Sequence, residues 1–254
     1  MEVRVDEQVA VVTGGSRGIG AATVRLFAES GASVVFGYRD AAAAAEEVVK
    51  SCGADSRVLA VRSDVSKMSG GKRLIDAALR RFGCIDILVA NAGIWPAEPS
   101  PIEKMSEETW DEMLAVNLKG VYTVIRHAVP HMIEQRRGRI IVVSSTAGQR
   151  GEAFHADYAA SKGGLISLVK SLAAELAPHQ ILVNCVAPGW VDTDMSSPIL
   201  AAPAQARRIK AGIPLGRVGE AREVAMPILF LASEMASYVT GEILNVNGGS
   251  VLCG

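Results

Sequence analysis

The chain has 254 residues, of which 49% are hydrophobic, and 26 Lys and Arg stand against 27 Asp and Glu for a net charge of -1. That length holds one large α/β domain more readily than two small ones, because no Ser/Pro/Gly-rich linker or shift in composition divides it. Balanced charge excludes a basic field for nucleic acid and an acidic tail, leaving a small molecule or a protein as the expected partner.

In chain order, the charged opening "MEVRVDEQ" lacks the basic stretch and apolar core of a signal peptide. Short β-branched runs then recur as "VAVVT" (9–13), "SVVFG" (33–37), "RVLAV" (57–61), "DILVA" (86–90), "RIIVVS" (139–144), "ILVNCVA" (181–187) and "EILNV" (242–246). Their near-continuous apolar character is that of strands buried on both faces. Between them the periodicity predicts helices at 21–30, 41–51, 72–82, 107–135, 157–177 and 220–232. The third is expected to start late, because "KMSGG" (67–71) puts two glycines where it would otherwise begin. Strict alternation predicts an α/β fold, a doubly wound parallel sheet of Rossmann type with helices on both faces. No charge-free apolar stretch approaches the ~20 residues that span a bilayer, so no membrane partner and a cytoplasmic location are expected.

The turn after the first strand, "TGGSRGIG" (13–20), admits three readings. Gly14-Gly15-Ser16-Arg17-Gly18 fits the G-x-S-x-G of a hydrolase elbow, but no oxyanion loop of the HGGG type accompanies it. A P-loop requires Lys and Ser/Thr after its last glycine, and Gly20 is followed by Ala21 and Ala22. A dinucleotide cradle needs only glycines and a helix N-terminus whose N-H groups and dipole favour a phosphate. It survives best.

No metal is expected. Cys52, Cys84, Cys185 and Cys253 are widely spaced, and the i, i+4 pair His127 and His131 has no carboxylate placed as H-E-x-x-H would require. "DYAASK" places Tyr158 and Lys162 at i, i+4 on one helix face. Taken alone, that pair is no more than a neighbour contact.

Read together, "TGGSRGIG", "SDV" (63–65), "NAG" (91–93), Asn117 in "AVNLKG", "SST" (144–146), "YAASK" (158–162) and "PGWVDT" (188–193) resemble the short-chain dehydrogenase/reductase family over essentially the whole chain. The resemblance implies a carbonyl reductase in which Tyr158 is the general acid and Lys162 lowers its pKa and holds the nicotinamide ribose. Ser145 then orients the substrate oxygen, with Ser144 as second choice, and Asn117 supports a proton-returning water relay. It further implies that Gly14, Ser16, Arg17, Ile19 and Gly20 surround the pyrophosphate and adenosine ribose. Asp64 and Val65 would meet the adenine, and Asn91, Ala92 and Gly93 the adenosine ribose and its neighbouring backbone. Pro188, Gly189, Val191 and Thr193 would form the loop beside the carboxamide.

The expected cofactor is NADP(H). "FGYRD" ends the second strand with Tyr38 and Arg39 in place of the acidic residue that repels a 2′-phosphate, and Asp40 is expected to cap the next helix. The expected substrate is a 3-oxoacyl thioester, with small ketones, diketones, sugars or secondary alcohols as the alternative. "MSSPILAAPAQARRIKAGIP" (195–214) reads as a lid bearing Arg207, Arg208 and Lys210. Arg136, Arg137 and Arg139 read as a patch for an acidic acyl carrier protein, although His179 stands where carrier-dependent relatives tend to present an arginine. Trp95, Phe154, Trp190 and Met195 are candidates for an apolar pocket. The family resemblance and the uncharged tail "NVNGGSVLCG" imply a homotetramer.

Overall fold

All seven β-branched runs form strands of one parallel sheet in the computed structural model, which describes residues 3–54 and 56–252. They are β1 (Val9–Val12), β2 (Ser33–Tyr38), β3 (Val58–Arg62), β4 (Ile87–Ala90), β5 (Gly138–Val143), β6 (Ile181–Pro188) and β7 (Ile243–Val246). Their spatial order is β3-β2-β1-β4-β5-β6-β7. Alternate side chains feed two apolar layers: Ala10, Val12 and Val34 point to one, Val11, Val35 and Leu88 to the other.

Helices α1 (Gly18–Glu29), α2 (Ala42–Ser51) and α10 (Ala221–Ala232) cover the first face, and α3 (Met68–Phe82), α5 (Gly120–Gln135) and α7 (Ala156–Leu176) the second. The order of strands reverses between β1 and β4, which opens a crevice at their carboxyl ends. The glycine-rich turn after β1 lies there. Helix α1 starts at Gly18 rather than at residue 21, so the last glycines of the motif form its first turn.

Two further stretches depart from the periodicity. Helix α3 begins at Met68, four residues before the expected start, with Gly70 and Gly71 inside it. A Cβ at Gly70 would stand 1.8 Å from the Asp64 carbonyl oxygen, and one at Gly71 2.7 Å from Thr123 Oγ1. Close packing, not helix termination, explains those glycines. The stretch expected as one helix over 107–135 is α4 (Glu107–Leu114), a π-helical turn over Ala115–Lys119, and α5. π-Turns interrupt helices mostly at functional positions, and this one carries Asn117.

The short helices α6 (Thr146–Arg150), α8 (Ser197–Leu200) and α9 (Pro203–Ala211) follow β5 and β6, and a small two-stranded sheet pairs Val191–Asp192 with Gly219–Glu220. No helix among the described residues is long and apolar enough to cross a membrane.

Candidate active site

A cavity of about 530 Å³ runs along the carboxyl edge of the sheet. Its wall includes all of the sequence-selected cofactor residues but one: Gly14, Arg17, Ile19, Gly20, Arg39, Asp64, Val65, Asn91, Ala92, Gly93, Tyr158, Lys162, Pro188, Gly189, Val191 and Thr193 line it. Ser16 does not.

The glycine turn is shaped by close approach. Gly14 has φ +65°, and a Cβ at Gly20 would lie 2.1 Å from the Gly14 carbonyl oxygen, so no larger residue closes this turn. Thr13 Oγ1 accepts from the N-H groups of Asn91 and Ala92 at 2.9 Å each, and Asn91 Nδ2 donates to the Thr13 carbonyl at 3.0 Å. These bonds lock the loops after β1 and β4 together. The result is a bare backbone at a helix N-terminus, which fits a pyrophosphate.

Tyr158 and Lys162 share one face of α7, and Lys162 Nζ lies 5.8 Å from the Tyr158 ring centroid. Lys162 is only 4% exposed, and its one recorded hydrogen bond runs to the Val143 carbonyl at 2.9 Å. Burial with so little pairing lowers its pKa from 10.5 to about 8. Donor capacity remains on that ammonium, as holding ribose hydroxyls requires. Together with the glycine cradle, this shows that the residues present fit a nicotinamide dinucleotide.

The phenol of Tyr158 departs from expectation. Burial pushes its pKa up to about 12, a hydrogen bond with Ser145 lowers it, and the Glu152 charge raises it. The lowering expected from Lys162 is not found in the chain by itself, because desolvation of the phenolate outweighs a cation that is itself driven toward neutrality. Ser145 caps α6 by accepting from the Ala147 N-H at 3.1 Å and lines the cavity. Ser144 lines the cavity too, but its hydroxyl donates to the Lys162 carbonyl at 2.8 Å. Its role is to fasten β5 to α7.

Asn117 is fully buried and lies outside the cavity wall. Its Nδ2 donates to the Ile94 carbonyl and to Ser161 Oγ, and its Oδ1 accepts from the Ile94 N-H. A Cβ at Gly93 would stand 3.2 Å from Asn117 Oδ1 and 3.4 Å from Lys162 Nζ, so the missing side chain brings Asn117 and Lys162 to one spot.

Several expectations need correction. Asp40 caps nothing: the N-cap of α2 is Ala41 without a side-chain bond, and Asp40 pairs with Arg39 at 2.6 Å. Phe154 lies outside the cavity wall; its φ is +64° and the residue is 59% exposed. The arginines of 136–139 stand at the amino end of β5, roughly 20 Å of strand from Ser145 at ~3.3 Å per residue. Arg137 is engaged by Asp86 at 2.9 Å and Arg139 by Glu234 at 2.8 Å. That patch cannot flank the cavity mouth. The 195–214 segment is anchored at its ends by buried Ser196 and Ile213, and Arg207, Arg208 and Lys210 sit exposed on α9.

Sequence reasoning overlooked Arg150 and Glu152, both on the cavity wall beside Trp95, Trp190 and Met195. A signal was available, since both lie between Ser145 and Tyr158, which the fold brings together.

A family model described as Enoyl-(Acyl carrier protein) reductase matches residues 14–250. The 3-oxoacyl-(acyl-carrier-protein) reductase FabG of Thermotoga maritima is 41% identical over 251 residues, covering 98% of this chain and 100% of that protein. The cis-4-hydroxycyclohexanecarboxylate dehydrogenase of Sinomonas cyclohexanicum is 44% identical over 246 residues, with 96% of each covered. Among solved structures, a mutant of a Serratia marcescens short-chain dehydrogenase/reductase superposes with TM-score 0.90 at 38% identity, covering 96% of this chain and 98% of that one. The seven-stranded parallel sheet, the glycine turn at its switch point and these likenesses over nearly the full length agree: the chain belongs to the short-chain dehydrogenase/reductase family of oxidoreductases.

Proposed function

We propose that the protein is an NADPH-dependent carbonyl reductase in which Tyr158 is the general acid. The observation that carries this reading is the convergence of Ser145, Tyr158 and Lys162 on one cavity that also holds the glycine turn. A bound reduced nicotinamide supplies the hydride for the carbonyl carbon. The chain's own part is to place a proton at the carbonyl oxygen, and a phenol with its pKa near 12 keeps that proton at neutral pH. Ser145 orients the oxygen, and Lys162 holds the ribose and replenishes the proton through the space it shares with Asn117.

Preference for NADP(H) is supported by Arg39 and by Arg62, whose Nε donates to the Arg39 carbonyl at 3.1 Å. Fork-shaped guanidinium groups suit a 2′-phosphate. Asp40 opposes it by pairing with Arg39, but that pair is exposed and therefore weak.

For substrate, a 3-oxoacyl thioester, free or carried by an acyl carrier protein, is favoured by the similarity to 3-oxoacyl-(acyl-carrier-protein) reductases. The exposed cations of α9 are the remaining surface for an acidic carrier. A second reading, a compact ketone or its secondary alcohol, is favoured by the two indoles and the carboxylate at the cavity wall. The protein is read as a cytoplasmic homotetramer in line with its family.

The test is a spectrophotometric screen of NADPH and NADH oxidation with acetoacetyl thioesters, diketones and cyclic ketones. NADPH-driven turnover that vanishes in Tyr158→Phe supports the reading. Absence of any dinucleotide-dependent turnover sinks it.

A further inference from the structure

Glu152 stands on the cavity wall, where the Trp95 side chain is its hydrogen-bond donor. Its side chain is 23% exposed, and His155 Nδ1 lies 3.7 Å from Oε1. Arg150 lines the same cavity but makes no ion pair with it within 4.0 Å. A carboxylate offers about four acceptor sites, so one indole donor and one imidazole contact leave it with acceptor capacity toward the cavity. Burial lifts its pKa above the usual carboxylate value, with His155, Trp95 and Arg150 opposing and Asp157 adding to the rise.

The surroundings are built rather than accidental. Trp95 stacks on His155 with ring centroids 5.1 Å apart and meets Trp190 edge-on at 5.7 Å. His155 Nε2 lies 3.1 Å from the Pro96 carbonyl oxygen, which ties the loop after β4 to the turn before α7. That turn carries two left-handed residues, Gly151 at φ +77° and Phe154 at φ +64°. Phe in that conformation is strained, and strain of this kind persists where surrounding structure requires it. Its effect is visible: Phe154 faces solvent while Glu152 and His155 turn inward.

We infer that Glu152 is a specificity-determining residue of the substrate site, accepting a hydrogen bond from a hydroxyl carried by the substrate next to its reacting carbonyl. The favoured substrates are therefore hydroxy ketones, or the diols that correspond to them, over plain ketones of the same shape. The indoles of Trp95 and Trp190 supply the apolar contact for the carbon skeleton, and Glu152 beside them supplies a charged acceptor. The inference rests on the carbonyl-reductase reading above.

The experiment compares cyclohexanone, 2-hydroxycyclohexanone and 4-oxocyclohexanecarboxylate as substrates of the wild-type enzyme, Glu152→Leu and Glu152→Gln. A site built to bond a hydroxyl discriminates strongly against the analogue that lacks it. The wild type should prefer the hydroxy ketone by about 10-fold or more in kcat/KM, mostly through KM. The preference should collapse toward unity in Glu152→Leu and fall partway in Glu152→Gln, which keeps an acceptor without the charge and preserves the shape should the leucine variant fold poorly.

A wild-type ratio near one, or a preference untouched by both variants, overturns the inference. So does a preference for the carboxylated ketone, which would transfer the role to Arg150. If no ketone is turned over, the carbonyl-reductase reading fails for this class, and the inference is then decided by binding. Tryptophan fluorescence is titrated with trans-1,2-cyclohexanediol and with cyclohexanol. Tighter binding of the diol, lost in Glu152→Leu, supports it; equal binding, or none of either, overturns it.

Discussion

The Asn117 side chain holds the backbone of Ile94 from both sides, its Oδ1 accepting from the Ile94 N-H at 2.8 Å and its Nδ2 donating to the Ile94 carbonyl at 2.9 Å. Ile94 follows Gly93 and precedes Trp95, so this pair of bonds sets where the loop after β4 passes the cavity. Replacing Asn117 with Leu leaves two backbone groups without partners in a buried place, at about 1–3 kcal/mol each where water cannot reach them. We expect a lower Tm and weaker dinucleotide binding by fluorescence titration. An unchanged Tm with normal binding would show that the loop is held by other contacts.

Tyr158→Phe removes only the phenolic oxygen. Turnover should fall by at least ~10²-fold in kcat, the lower range for a general acid, while NADPH still binds. Ser145→Ala should cost kcat as well. Ser144→Ala should act mainly on stability, because Ser144 spends its hydroxyl on the Lys162 carbonyl. Equal kcat losses for the two serines, at unchanged stability, would refute the division between them.

The proposed preference for NADP(H) sets Arg39 against Asp40. The 2.6 Å bond between them has to loosen or be shared before Arg39 can meet a 2′-phosphate. Arg39→Ala should raise the Kd for NADPH with little change for NADH, and Asp40→Asn should lower it. The readout is the ratio of the two affinities by isothermal titration. A drop in NADPH affinity for Asp40→Asn would reverse the assignment and make Asp40 a contributor.

Burial of the Lys162 ammonium costs the fold stability. A fall of its pKa from 10.5 to about 8 corresponds to roughly 3 kcal/mol against the buried ammonium at neutral pH. Between pH 8 and 10.5 the unfolded chain holds the proton that the folded one has released, so stability rises with pH in that window. Tyr158 acts in the opposite sense: its folded pKa near 12 lies above the ordinary 10, so its contribution is complete below pH 10 and is lost as pH rises from 10 to 12. Lys162→Met should be inactive yet melt higher at pH 7, and should lack the wild-type gain from pH 8 to 10. A lower melting temperature at pH 7 would show that the bond to the Val143 carbonyl outweighs desolvation.

Strand positions and the doubly wound plan were legible in the sequence because strands buried on both faces must be apolar throughout, a local property of composition. Glycines at 14 and 20 and the Tyr158-Lys162 spacing were legible for a similar reason: backbone approach and helical periodicity constrain residue type over a few positions. What the sequence left open depends on contacts between distant segments. The glycines at 70 and 71 read as helix breakers until Asp64 and Thr123 are seen against them. The arginines of 136–139 read as a carrier-docking patch until the length of β5 sets them apart from Ser145. The pKa values of Tyr158 and Lys162, and the raised pKa of the Glu152 carboxyl, follow from desolvation, which is set by what surrounds a group in space. Only the tertiary structure decides that.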